Sequence, residues 1–459
     1  MVDGLTAMVA TERRHWPLCI VAAAGAVAYA LVFYPGAMSF DSAYLWWQAR
    51  GGESTNVYGV GMTWLWRAGN ALTPGPGALF VLQLLLLWGG LALIAQHLCT
   101  STPWRAAFML IAATMPVCLL LLSHVWSDVM LMAVLTCAVG IALRGHAGCR
   151  RCLWPCWPLL LLAVTLRHNA AAAVFPLLIY VVYLHLAAGD GDAGLLRAVG
   201  IALLIALLFQ SASFLLERTV DQRRTTFAAT QLWDLAALSL DAGTMLLPPA
   251  SHGVGLTLDD LRRAFVPYTN TILFEQTQAG MLGPHLAADD PLNDEIRRAW
   301  IGAILAHPRS YLEHRWLLTK ALFGSKSRQW PRGLVYFDGE YQYDGNPPVT
   351  PNSSRAHAWC MGLFEAMRAS ALLSAWPYLC LAVTALTLAV RRRHQVDMGP
   401  AMAVLGSGLL YAAPLPFIAP AAELRYTGWT CLAAVIGAAL VFAPPRQAAG
   451  VDAPGPRRR

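Results

Sequence analysis

Several stretches of this 459-residue chain carry residue types that can do chemistry. The first is Asp41, in Phe33-Tyr34-Pro35-Gly36-Ala37-Met38-Ser39-Phe40-Asp41-Ser42. A carboxylate held at the mouth of a membrane cavity can take a proton from a hydroxyl. An acid here also simply favours a helix N-terminus through the dipole, with Ser39 as the cap. Asp128, in Ser123-His124-Val125-Trp126-Ser127-Asp128, carries the same two readings. Two acids on one side of a membrane can share a metal or an acceptor. Arg167-His168-Asn169 interrupts an apolar stretch, where an arginine is expensive unless paired or solvated. Its planar fork suits phosphate oxygens; an ion pair with Asp128 or Asp41 inside the bundle is the alternative. Glu423-Leu424-Arg425-Tyr426 supplies a second arginine, or else a salt-bridged turn. Last, His307-Pro308-Arg309-Ser310-Tyr311-Leu312 opens a helix containing His314, Arg315 and Trp316, whose polar groups read mostly as surface charge.

The elements that must position these residues are set by composition. Hydrophobic residues make up 57% of the chain and charged ones 13%, with a mean hydropathy of +0.49. A soluble domain carries about 25% charge. The balance excludes a disordered chain, a disulfide scaffold and an ordinary soluble enzyme. Apolar runs recur at lengths that cross about 30 Å of hydrocarbon. The predicted fold is an all-α polytopic membrane protein. About ten spans are expected, near 16–33, 77–96, 105–122, 128–143, 155–167, 170–186, 195–216, 369–390, 400–418 and 427–443. The first span is long enough to stay as an anchor, so no cleavable signal peptide is expected.

The net charge of +7 is a topology signal rather than a nucleic-acid footprint. Lys320 and Lys326 are the only lysines. With a cytoplasmic N-terminus, Arg105, Arg144 to Arg151, Arg197, Arg391 to Arg393 and the Arg457 to Arg459 tail all fall inside. Counting 57–72 as a span would break that agreement. Segments 39–50 and 57–72 are therefore expected as two helices on the periplasmic surface, with Trp46, Trp47, Trp64 and Trp66 at the interface. Asp41, Asp128, Arg167, Glu423 and Arg425 then all lie at or near one face.

The expected organisation is an N-terminal membrane module over 1–216, with its first external loop at 34–76, then a mostly helical periplasmic domain over 217–365. C-terminal membrane helices over 366–443 and a cytoplasmic tail over 444–459 complete it. Residues 217–365 hold most of the 26 acids, and helical patterning shows at Ile296 to Leu305 and Tyr311 to Phe323. Cys360 is the one cysteine there. Cys149, Cys152 and Cys156 near His146 read as a plain cytoplasmic loop, with zinc as the weaker alternative. No P-loop, dinucleotide fingerprint or serine-hydrolase elbow is present, and no large cytoplasmic domain is left to bind a nucleotide.

Taken in order, these motifs resemble the GT-C class of integral-membrane glycosyltransferases. The match comprises Tyr34-Pro35-Gly36 with Asp41, two juxtamembrane helices, Asp128, Arg167-His168-Asn169 before an Ala-rich span, His307 to Leu312, and Glu423 to Tyr426. The resemblance implies transfer of a sugar from a polyprenyl-phosphate carrier to a glycan, lipid or protein acceptor at the outer face of a bacterial inner membrane. It implies Asp41 as catalytic base with Asp128 beside it, and Arg167, His168 and Arg425 on the donor phosphate. Asn169, Glu423, Tyr426 and His307 would contact substrate. Two departures stand out. Many members have His-Pro before the second juxtamembrane helix, where this chain has Asn56-Val57-Tyr58-Gly59-Val60. Metal-dependent relatives often carry paired acids where Asp128-Val129-Met130 offers one. That argues against a required metal and leaves a divalent ion on Asp41 and Asp128 as the alternative. The rival classes are a transporter or lipid-linked-sugar flippase, an O-antigen ligase or polymerase, and a non-catalytic assembly protein.

Overall fold

A computed structural model describes residues 16–186, 192–253, 255–276, 286–339 and 341–444. Among the described residues 71% are helical, with almost no strand. In order the helices are α1 (Trp16–Phe33), α2 (Phe40–Ala49), α3 (Val60–Leu72), α4 (Gly77–His97), α5 (Thr102–Thr114), α6 (Pro116–Leu121), α7 (Ser127–His146), α8 (Cys156–Leu166), α9 (Ala170–His185) and α10 (Asp192–Glu217). They continue as α11 (Phe227–Ala242), α12 (Leu258–Ala264), α13 (Thr271–Gln276), α14 (Leu292–Ala306), α15 (Pro308–Phe323), α16 (Arg355–Met367), α17 (Trp376–Arg392), α18 (Gly399–Ala412), α19 (Leu415–Ile418) and α20 (Gly428–Phe442). Two-residue strands, Arg224–Thr225 and Leu286–Ala287, pair antiparallel.

Among the described residues, six helical stretches are long and apolar enough to cross a membrane: Trp16–Phe33, Gly77–His97, Ser127–His146, Gly194–Glu217, Gly399–Ile418 and Leu424–Phe442. The chain is an all-α protein of membrane type. The other expected spans are shorter or broken. The run at 105–122 divides where Met115 is extended ahead of Pro116, which cannot continue a helix bonded from the preceding turn. Cys156–Leu166 has 11 residues, Ala170–His185 has 16 and Trp376–Arg392 has 17. The two helices expected after the first span form as α2 and α3. Their tryptophans divide: Trp64 is exposed, but Trp46 and Trp66 are buried. The indole N–H of Trp46 donates to Asn70 Oδ1 at 3.1 Å and that of Trp66 to the Gly75 carbonyl at 3.3 Å. These rings are core anchors, because α2 and α3 pack on the bundle and leave them no interface to occupy.

Burial ranks the spans. The stretch Gly194–Glu217 is 11% buried, whereas Ser127–His146 is 83% and Leu424–Phe442 is 89% buried. The last two are therefore the most enclosed of the six. A first core gathers residues from α1 to α10, α16 to α18 and α20, together with Val335 and Tyr336. A second gathers α11, α12, α14 and α15, with Leu415, Ala421, Ala422 and Tyr426 from the segment ahead of α20.

The second core contains a correction. His314 and Arg315, expected as surface charge, are both buried on α15. Arg315 donates from Nη2 to Asp234 Oδ2 at 2.6 Å and from Nη1 to the Ala419 carbonyl at 3.2 Å. His314 Nε2 lies 3.1 Å from Asp234 Oδ1, and the Trp300 indole donates to Asp234 Oδ2 at 2.8 Å. Their partner comes from α11, some 80 positions earlier, so local pattern cannot show the pairing. Pro308 does sit at the first helical position of α15.

Candidate active site

Two helix starts are tied together first. After α1, Gly36 takes φ +98°, and a Cβ there would meet Phe80 and Val125 at 2.7 Å. Beyond it, Ala37 N–H donates to the Ser123 carbonyl at 2.8 Å and Val125 N–H returns to the Ala37 carbonyl at 3.0 Å. The Ser42 hydroxyl donates to the Val125 carbonyl at 2.6 Å. Ser39, expected to cap α2 with its side chain, instead accepts from the Trp126 indole at 2.8 Å. These bonds place Asp41, in the first turn of α2, beside Asp128, in the first turn of α7. Both carboxylates thus stand at positive helix ends.

The arginines arrive by other routes. Arg167 ends α8, which α3 approaches so closely that a Cβ on Gly59 would lie 2.1 Å from the Leu166 carbonyl oxygen. Arg425 lies in the 3-10 turn Leu424–Thr427, which leads into α20. The ion pairs close at one point. Arg425 Nη2 is 2.5 Å from Asp41 Oδ2, and its Nε bonds Glu423 Oε2 and sits 3.9 Å from Asp128 Oδ2. Arg167 Nε is 3.2 Å from Asp128 Oδ1. Tyr58 donates to Asp41 Oδ1 at 2.7 Å, and Tyr411 to Asp128 Oδ1 at 3.4 Å. Tyr426 lies under both guanidiniums, at 5.3 Å from Arg167 and 5.4 Å from Arg425, while Trp126 stacks on Arg425 at 5.1 Å.

The site is half open. Asp128 and Arg425 are 2% and 8% exposed, but Asp41, Glu423 and Arg167 are each near 20%. Burial pushes the Asp41 carboxyl up, but the Arg425 guanidinium and the Tyr58 hydroxyl outweigh it and hold it below its ordinary range. Glu423 goes the other way: burial raises it, Arg425 opposes, and neighbouring Asp41 adds to the rise. Of these two carboxyls, Glu423 is the one that takes up a proton first. Once it does, two carboxylates balance two guanidiniums.

Six of the sequence-predicted residues therefore meet: Asp41, Asp128, Arg167, Glu423, Arg425 and Tyr426. Asn169 stands at the N-cap of α9, two residues after Arg167. His168 turns aside, with Nε2 3.1 Å from the Asn56 carbonyl and Nδ1 3.4 Å from Glu217. His307 is not brought to the cluster. It lies between α14 and α15, two helical turns before Arg315, and belongs to the second core's helices. The structure also draws in Tyr58 and Tyr411, which sequence reasoning missed. A tyrosine carries no spacing signal.

A divalent ion on Asp41 and Asp128 would have to displace the Arg425 guanidinium that bridges them. Among the described residues no cluster of three or more His, Cys, Asp or Glu is arranged to hold a metal. Cys149 and Cys152 are disulfide-bonded to each other, which removes two of the thiols a zinc site there would need. No protein-family model, no curated protein and no solved structure matches this chain.

Proposed function

We propose that the chain is a GT-C-type membrane glycosyltransferase that moves a sugar from a polyprenyl-phosphate donor to an acceptor hydroxyl. The observation that carries this reading is the single cluster in which Asp41, Asp128 and Glu423 face Arg167 and Arg425 at the entrance to the two most buried spans. The arginine pattern of the loops supports about ten crossings, a bacterial inner-membrane location and a cluster facing the periplasm. On this reading α2 and α3 lie against the outer leaflet, and residues 217–365 cover the site.

The two guanidiniums are the groups able to hold a phosphate bidentately. Both are engaged by carboxylates in this state, so a donor phosphate binds by exchange. Its oxygens replace Asp41, Glu423 and Asp128 on Arg425 and Arg167, and a proton on Glu423 lowers the negative charge the phosphate must approach. Losing Arg425 removes the strongest influence holding the Asp41 carboxyl down, so Asp41 becomes a better base when the donor is seated. It then accepts the acceptor's hydroxyl proton, the oxygen attacks the anomeric carbon, and the sugar–phosphate bond breaks with its electron pair on the phosphate. A single displacement inverts the anomeric centre. Preorganised cations facing developing charge of this kind are typically worth about 2.7–4 kcal/mol of barrier each. Tyr426 steadies this arrangement, with Asn169 close by at the start of α9; His168 and His307 stand further out and act on bound substrate only if their segments move in.

Comparative mass spectrometry of envelope glycans and lipid-linked sugars, with and without the gene, tests the reading. A single missing sugar, with its lipid donor accumulating, is expected. Loss of entire polymers marks a ligase or polymerase instead, and an accumulation confined to the inner leaflet marks a flippase.

A further inference from the structure

Phe40, Tyr44 and Trp47 recur at i, i+4 and i+7 on α2, which puts them on one helix face. Residues 337–339 and 341–346 fold onto that face. Tyr341 N–H donates to the Met38 carbonyl at 3.0 Å, Arg50 Nη1 donates to the Gly345 carbonyl at 2.6 Å, and Asn346 Nδ2 donates to the Ala43 carbonyl at 2.7 Å. The result is a continuous ridge of rings. Phe40 stacks on Tyr44 at 5.9 Å and meets Tyr341 at 5.6 Å and Tyr343 at 5.7 Å. Tyr44 stacks on Trp47 at 5.7 Å and touches Tyr343 at 5.5 Å and Tyr58 at 6.3 Å.

The ridge ends in the site. Tyr58, its innermost ring, is the hydroxyl that donates to Asp41. Tyr44 follows Asp41 by three residues, so the two side chains are neighbours on the helix surface. At the other end Phe40 and Tyr341 are 45% and 43% exposed. Exposed polar residues stand among the rings: Arg50, Gln342 and Asp344. An apolar ridge meant for acyl chains would not carry them. Aromatic faces bear negative charge and attract partly positive C–H groups. Pyranose rings present such C–H faces, with hydroxyls at the edge for amide and charged partners.

We propose that this ridge is a carbohydrate subsite, taking the glycan acceptor by stacking and leading its terminal sugar hydroxyl to Asp41. The proposal rests on the transferase reading for its direction, and on the ridge alone for its sugar binding.

The test uses full-length protein in nanodiscs and fluorescently labelled oligosaccharides released from the envelope of a strain lacking the gene. That pool retains the unmodified acceptor. Wild type binds it. Phe40→Ala and Tyr341→Ala, at exposed positions, each bind about tenfold more weakly, ~1.4 kcal/mol, and Phe40→Trp keeps the affinity. Undiminished binding by both alanine variants overturns the proposal, as does no binding by wild type. If wild type fails to bind yet the deletion strain still lacks one envelope sugar, the acceptor is a lipid or protein: the subsite falls and the transferase stands. If the alanine variants lose binding while Asp41→Asn leaves the envelope unchanged, the transferase falls and the sugar surface stands.

Discussion

Asp41 is held by two donors, and both set its proton affinity. Its carboxyl sits below the ordinary range because Arg425 and Tyr58 overcome burial. On the proposed transfer Asp41 must be ionised to act as the base, so the acid limb of kcat/KM, which reports the donor-free protein in which Arg425 still holds it, falls below the usual carboxylate range. Arg425→Gln removes the larger of the two influences, and the acid limb then moves to higher pH while the rate drops. The sign is the same for stability. The contribution of this pair is complete above the unfolded pKa and is lost as pH falls through the lowered folded one. A pH–rate profile of the purified pair of proteins checks this. Tyr58→Phe removes one hydrogen bond to a charged group, a loss of about 1.5–3 kcal/mol, with a smaller shift in the same direction. At this scale the sequence was informative because charge is scarce. A few acids and arginines on one face left little else for the cluster to contain. The tyrosines were illegible, since a hydroxyl reveals its role only once its neighbour is known.

At the scale of the elements, the site depends on close approach. Gly59 lets α3 meet the end of α8, and Arg167 is the next residue after Leu166. Gly59→Ala therefore forces the two segments apart. Overpacking of this kind costs about 1–3 kcal/mol. A lower melting temperature in detergent and reduced transfer are expected, whereas Gly89→Ala, where nothing lies within 4 Å, leaves melting unchanged or higher. The helices themselves were largely legible from apolar periodicity. The division at Met115-Pro116 was signalled by the proline but masked by the apolar run around it. The buried Trp46 and Trp66 show the limit of residue type as a guide: a tryptophan beside a membrane serves an interface or a core, and packing decides which.

For the whole molecule, the question is what couples the helices over 227–323 to the spans. Asp234 on α11 binds Arg315 and His314 on α15, and Arg315 also holds the Ala419 carbonyl ahead of the turn that carries Arg425. Removing one partner of a buried pair strands the other, at about 3–5 kcal/mol. Asp234→Ala is expected to lower the melting temperature strongly and to reduce transfer through Arg425, though it touches no site residue. No periodicity pairs residues so far apart, which is why this tie was invisible in the sequence while the one-sided distribution of charge was visible. The central claim is that Asp41 is the base of a sugar transfer. Its most direct measurement is complementation of a deletion strain with Asp41→Asn, matched to wild type in membrane abundance, followed by mass spectrometry of the envelope glycans and lipids. The missing sugar is expected to stay missing with Asp41→Asn and to return with wild type. Full restoration by Asp41→Asn would contradict that role for Asp41.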